Sequence, residues 1–162
     1  MLKHGAGRAE EGDMAPASPL SSSKHRRIAV ATVLCALALL TGCLRATQNQ
    51  VLTELNADRS ANKLRTLAVQ ADAQNKAQAW AEKLAKENTL YHSTLSSGIK
   101  VKWCSLGENV GYGPSVAAIE DAYMNSSGHR ANILSTKWNG VGVGYATNGS
   151  RVFTVQFFIK TC

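Results

Sequence analysis

Apolar positions change period along this chain, and each period predicts a different element. Ile28–Leu40 is a nearly continuous apolar run behind the basic cluster Lys24-His25-Arg26-Arg27. Val51, Leu52 and Leu55 share one face of a helix over Gln48–Lys63, with a short extended link over Leu64–Val69. Ala77, Trp80, Ala81, Leu84 and Ala85 recur at helical spacing from an N-cap at Asp72 to about Leu90. His92–Trp103 is polar and reads as a loop, and Leu106–Gly113 as a Gly-punctuated strand ending at Pro114. Ser115–Asn125 reads as a third helix with Val116, Ile119, Ala122 and Tyr123 inward, and His129–Leu134 as a short helical turn. Asn139-Gly140 and Asn148-Gly149 are turn dipeptides flanking Val141–Ala146. In Arg151–Lys160 the residues Phe153, Val155, Phe157 and Ile159 alternate onto one face of a last strand. Helices first and a strand hairpin afterwards predict an α+β layered domain rather than βαβ units.

Gly140, Gly142 and Gly144 lie at alternate positions of a predicted strand. A dinucleotide fingerprint needs a helix opening on its glycines, and here another strand follows. Small residues at this spacing instead let a helix pack closely on the sheet.

The run before the domain predicts an export signal. At 13 residues, Ile28–Leu40 is too short to span a bilayer but suits a signal-peptide core. It ends in Leu40-Thr41-Gly42-Cys43, which resembles a bacterial lipoprotein box with Cys43 as the lipidated residue. An ordinary secretory signal or a buried core helix is the alternative. Residues 1–42 are then leader and signal, with Met1 or Met14 as the start, 43–50 a short tether and 51–162 the domain. This places the protein outside the cytoplasm, held at the membrane by acyl chains on Cys43.

Charge changes the picture less than its total suggests. The 162 residues carry 18 Lys+Arg and 11 Asp+Glu, net +7. The segment 1–42 takes five of the basic and three of the acidic residues, leaving +5 spread over Cys43–Cys162 without a dense run. With no nucleic-acid motif, the sequence gives no reason to expect DNA or RNA binding. An anionic envelope component is the more natural partner, and a monomer the expected state. Removing Cys35 with the signal and lipidating Cys43 leaves Cys104 and Cys162, which on an exported domain read as one disulfide. Two free buried thiols are the alternative.

The candidate chemistry rests on His92 and His129, the two histidines after Cys43, each at a polar break, with Glu108 between them in Gly107-Glu108-Asn109-Val110. Two imidazoles and a carboxylate suit a divalent metal, zinc or magnesium, or acid–base work. Hydrogen bonds that merely pin helices to the sheet are the plainer alternative.

Taken together, Leu55-Asn56-x-x-Arg59, Ala79-Trp80-Ala81, His92-Ser93, Gly107-Glu108-Asn109-Val110, Ser127-Gly128-His129-Arg130-Ala131-Asn132-Ile133-Leu134 and Gly140-Val141-Gly142-Val143-Gly144 resemble the CAP (SCP) superfamily, and its bacterial branch most closely. The resemblance runs from about Val51 to Ile159. It implies a three-layer α-β-α sandwich with a small antiparallel sheet and a central cleft. In that family two histidines and two glutamates face the cleft, and the histidines can hold a metal. His92, His129 and Glu108 match three of these positions. The second glutamate has no clear counterpart: Tyr123 holds the preceding aromatic position, and Glu120 lies one turn earlier, where a regular helix points it elsewhere. Asn109, Arg130 and Asn132 are expected to hold the cleft walls. The resemblance implies a non-catalytic binding module for a small, lipid-like or cell-envelope ligand. A metal-assisted hydrolase using His92, His129 and Glu108 is the alternative, and a serine variant using Ser126 or Ser127 with His129 a weaker one.

Overall fold

The computed structural model describes residues 44–162, among which helix α1 (Ala46–Ala61) is the first element. The segment expected as leader and signal, with Met14 and Cys35, and the expected lipid acceptor Cys43 lie outside the described residues. Residues 46–50, expected as tether, belong to the first helix, because Gln48 opens its buried face, followed by Val51, Leu55 and Arg59. Helix α2 (Ala71–Glu87) is capped by Gln70, whose side chain accepts from the Ala73 N–H at 2.8 Å. Asp72, expected as that cap, instead accepts the Lys100 and Val101 N–H groups, each at 2.8 Å, and fastens the following loop to the helix.

Strand β1 (Trp103–Gly113) precedes helix α3 (Val116–Asn125), helix α4 (Ser127–Ile133) and the strands β2 (Gly140–Asn148) and β3 (Arg151–Thr161). The sheet is antiparallel in the order β1-β3-β2. Asn148 pairs with Arg151, and Gly149 takes the positive φ of 58° that closes this hairpin. The central strand is buried on both faces. Phe153, Val155, Phe157 and Ile159 pack on α2, while Phe158 faces the cluster formed with α1, α3 and α4. The expected α-β-α layering with a small antiparallel sheet is what the chain adopts. Among the described residues no helix is long and apolar enough to cross a membrane.

Strand β2 is an edge, and α2 covers it through backbone-like bonding. Gln74 donates to the Val143 carbonyl at 2.8 Å and accepts the Val143 N–H at 2.9 Å. Gln78 repeats this with Tyr145, at 3.0 and 3.1 Å. Two glutamines one turn apart thus satisfy groups that an open edge exposes. The approach requires the alternate glycines: a Cβ on Gly142 would lie 2.0 Å from the Ala73 oxygen, and one on Gly144 2.1 Å from the Ala77 oxygen. Cys104 and Cys162 form a disulfide with a Cα–Cα distance of 5.2 Å, tying the start of β1 to the end of β3.

Candidate functional site

Adjacent residues of a strand face opposite sides of the sheet, and β1 uses this to place Glu108 on one side and Asn109 on the other. Glu108 shares its face with Val110, toward α2. One of its oxygens, Oε1, accepts both the His92 Nδ1–H and the Ser93 backbone N–H, each at 2.9 Å. The His92 side chain is 59% exposed and that of Glu108 1%. Glu108 is therefore a buried post that orients an exposed imidazole. Its other oxygen, Oε2, is buried without a hydrogen-bond partner.

Asn109 organises the opposite face. Its amide donates to the His129 carbonyl at 3.1 Å and to Gln156 Oε1 at 3.0 Å, and its oxygen accepts from Asn132 at 3.0 Å. Asn132 in turn accepts the Trp138 indole N–H on its backbone carbonyl at 2.8 Å. These bonds dock the short α4, and His129 with it, on the sheet. Arg130 is exposed, and its guanidinium joins none of the hydrogen bonds among the described residues. Arg59, to which the sequence assigns no role, supplies a further support. Its 2%-exposed side chain donates to the carbonyls of Arg65, Ile133 and Ser135, at 2.9, 2.6 and 2.9 Å. The last two lie at the end of α4, where carbonyls lack helical partners. An arginine at helical spacing behind Val51 and Leu55 is the signal that points to it.

His129 is oriented from its own helix. Ser126 occupies the N-cap position of α4, yet its hydroxyl bonds the imidazole Nδ1 of His129 at 2.9 Å and makes no cap bond. The His129 ring also lies 5.0 Å, centroid to centroid, from that of Tyr123. Tyr123 is buried and bonded to the carbonyl and hydroxyl of Thr154, both at 3.1 Å. Burial pushes its phenol far up, and its hydroxyl hydrogen is spent on the Thr154 carbonyl, so the ring serves as a wall beside His129. Burial also holds the His129 imidazole below the usual histidine value, and the charge of His92 adds to the effect. Each imidazole has Nδ1 engaged, and neither Nε2 makes a hydrogen bond among the described residues.

Glu120 sits elsewhere. Helical periodicity points Ala122 inward, but Ala122 is exposed and Glu120 is buried at 4% exposure. Its carboxylate accepts from the Gln156 amide and faces α1. Burial, then the neighbouring Asp58, push its pKa up to about 8, against the Gln156 hydrogen bond. It reaches the histidine side only through Gln156 and Asn109. Ser126 stands beside His129 where no second glutamate does.

Among the described residues no group of three or more His, Cys, Asp or Glu side chains is placed to hold a metal ion. Glu108 Oε1 is taken by His92 and Ser93 and its Oε2 is buried, so the Nε2 atoms of His92 and His129 are the donors a metal could use. Imidazole nitrogen suits zinc, whereas magnesium prefers oxygen. A histidine with Nδ1 held by a carboxylate and Nε2 free has the orientation metal ligands commonly show.

Residues 52–162 match the cysteine-rich secretory protein family, CAP. An uncharacterised Bacillus subtilis protein, YkwD, is 29% identical over 124 residues, covering 71% of this chain and 48% of that protein. The chain therefore spans about half the length of that relative. An extracellular protein of Bacillus anthracis containing an SCP domain superposes with a TM-score of 0.61 at 25% identity, over 75% of this chain and 45% of that one. An outer surface protein of Borrelia burgdorferi gives 0.66 at 18% identity, over 73% and 95%. This last likeness is one of fold.

Proposed function

The chain belongs to the CAP family of cysteine-rich secretory proteins, and from that premise we propose that it is an extracytoplasmic, non-catalytic binding module whose cleft presents His92 and His129 to a small or envelope-derived ligand. The observation that carries this reading is the tethering of both Nδ1 atoms, one to Glu108 and one to Ser126. That arrangement fixes two rings and leaves two Nε2 atoms to bind a divalent metal such as zinc, or polar atoms of the ligand. When bound, zinc would supply a Lewis-acidic centre between ligand and protein. Glu108 supports binding over hydrolysis. A general base must reach the proton it removes, and this carboxylate is buried and already bonded through one oxygen. The placement outside the cytoplasm draws on the signal-like run before Cys43 and on the extracellular Bacillus anthracis relative. Anchoring through acyl chains on Cys43 is part of the same proposal.

Zinc content of the purified protein, wild type against His92→Ala and His129→Ala, tests the site, with hydrolysis of ester and peptide substrates followed in parallel. Loss of zinc in both variants is expected. Equal zinc in all three removes the metal from the account. Turnover abolished by Glu108→Gln with folding intact would establish a hydrolase instead. Cys43→Ser is expected to release the protein from membranes, and retention there contradicts the anchor.

A further inference from the structure

A pocket of about 550 Å³ lies beside the histidine site, between α2 and the loop that follows His92. Its wall includes Asn75, Lys76, Trp80, Lys83, Ser93 and Ser97, and no carboxylate lines it. Neither lysine forms an ion pair among the described residues. The Lys76 ammonium donates to the Thr94 and Ser97 carbonyls, each at 2.8 Å, which leaves one of its hydrogens unassigned. Lys83 stands 4.8 Å above the Trp80 ring and 5.6 Å above that of Tyr91. The indole N–H of Trp80 is spent on the Tyr91 carbonyl at 3.0 Å, so what Trp80 offers a ligand is ring surface. Ser93 lies against the pocket with its hydroxyl buried, so the exposed polar group of the wall beside the lysines is the Asn75 amide.

We infer that this pocket binds an acidic sugar, a saccharide ring carrying a carboxylate or phosphate. Each part of such a ligand has a counterpart in the wall. The anion meets Lys83 and the remaining hydrogen of Lys76, as charge-assisted hydrogen bonds. The apolar face of the sugar ring meets Trp80, and its hydroxyls meet the Asn75 amide. The volume suits one or two sugar units. A neutral sugar brings the two ammonium groups no counter-charge. The site is separate from the histidine pair and stands whether or not zinc binds there. The two are nevertheless joined, because the Ser93 N–H and His92 Nδ1–H share Glu108 Oε1.

The test is amide NMR of the protein titrated with glucuronate, glucose 6-phosphate and glucose. Saturable shifts confined to residues around Lys76, Lys83 and Ser93 are expected with one or both acidic sugars, and binding of glucose about tenfold weaker or less. Comparison of the two acidic sugars identifies the preferred anion. Lys83→Met is expected to weaken binding about tenfold, and Lys83→Arg to restore most of it. Lys83 is exposed, so both variants are expected to fold. Equal binding of glucose and the acidic sugars, wild-type binding by Lys83→Met, or no localised shift with either acidic sugar would overturn the inference.

Discussion

His92 and Glu108 are joined, Nδ1 to Oε1, at 2.9 Å, although one side chain is largely in solvent and the other almost wholly buried. That asymmetry separates what holds the domain together from what is available for binding. Glu108→Ala leaves the Ser93 N–H without its acceptor and opens space beside Val110. A loss of about 2–3 kcal/mol is expected, against less than about 1 kcal/mol for His92→Ala. Chemical denaturation of the two variants measures the difference, and equal losses would mean that Glu108 does not anchor β1 to the loop.

The contact between α2 and β2 is backbone against backbone. Gly142→Ala places a methyl group 2.0 Å from the Ala73 carbonyl oxygen and is expected to cost about 3 kcal/mol or more, or to abolish folding. Gly128, inside α4, has nothing within 4 Å of the position a Cβ would take. Gly128→Ala is therefore expected to be neutral or to stabilise by up to about 1 kcal/mol. Thermal melts of both variants check the contrast, and similar behaviour would contradict the close packing.

Glu120 makes stability depend on pH in an unusual direction. Its pKa is raised from 4.5 to about 8 on folding, so across that window the folded state holds a proton that the unfolded chain releases. Stability then falls as pH rises from 4.5 to about 8, and levels off above. Glu120→Gln removes this dependence. Relative to wild type the variant is expected to gain stability with rising pH, on the order of a few kcal/mol. Denaturation at acidic and alkaline pH measures it, and a difference between the proteins that does not change with pH would rule out this role.

Much of this fold is written in local periodicity. The faces of α1 and α2, the alternation of β3 and the glycines of β2 all identify themselves, because each buries a regular set of side chains. The two histidines stand out for being few and for lying at polar breaks. What periodicity does not carry is the identity of hydrogen-bond partners distant in sequence. Gln70 rather than Asp72 caps α2 because Asp72 is drawn to the loop at Lys100 and Val101. Glu120 rather than Ala122 turns inward because Gln156 on β3 offers its amide there. Arg59 is buried by carbonyls at the end of α4, far along the chain. Ser126 forgoes its cap for His129, a choice no N-cap rule anticipates.

The central claim is that His92 and His129 form one site. The NMR titration of the His129 ring, in wild type and in His92→Ala, tests it most directly. With His92 present, burial and the neighbouring charge are expected to hold the His129 midpoint below the ordinary 6.5. Because the folded value is depressed, the group opposes folding as pH falls below 6.5 and has no effect well above it. Removal of His92 is expected to move the midpoint upward, by the part of the shift due to charge. An identical midpoint in both proteins would show that the two imidazoles do not sense each other, and would contradict a shared site.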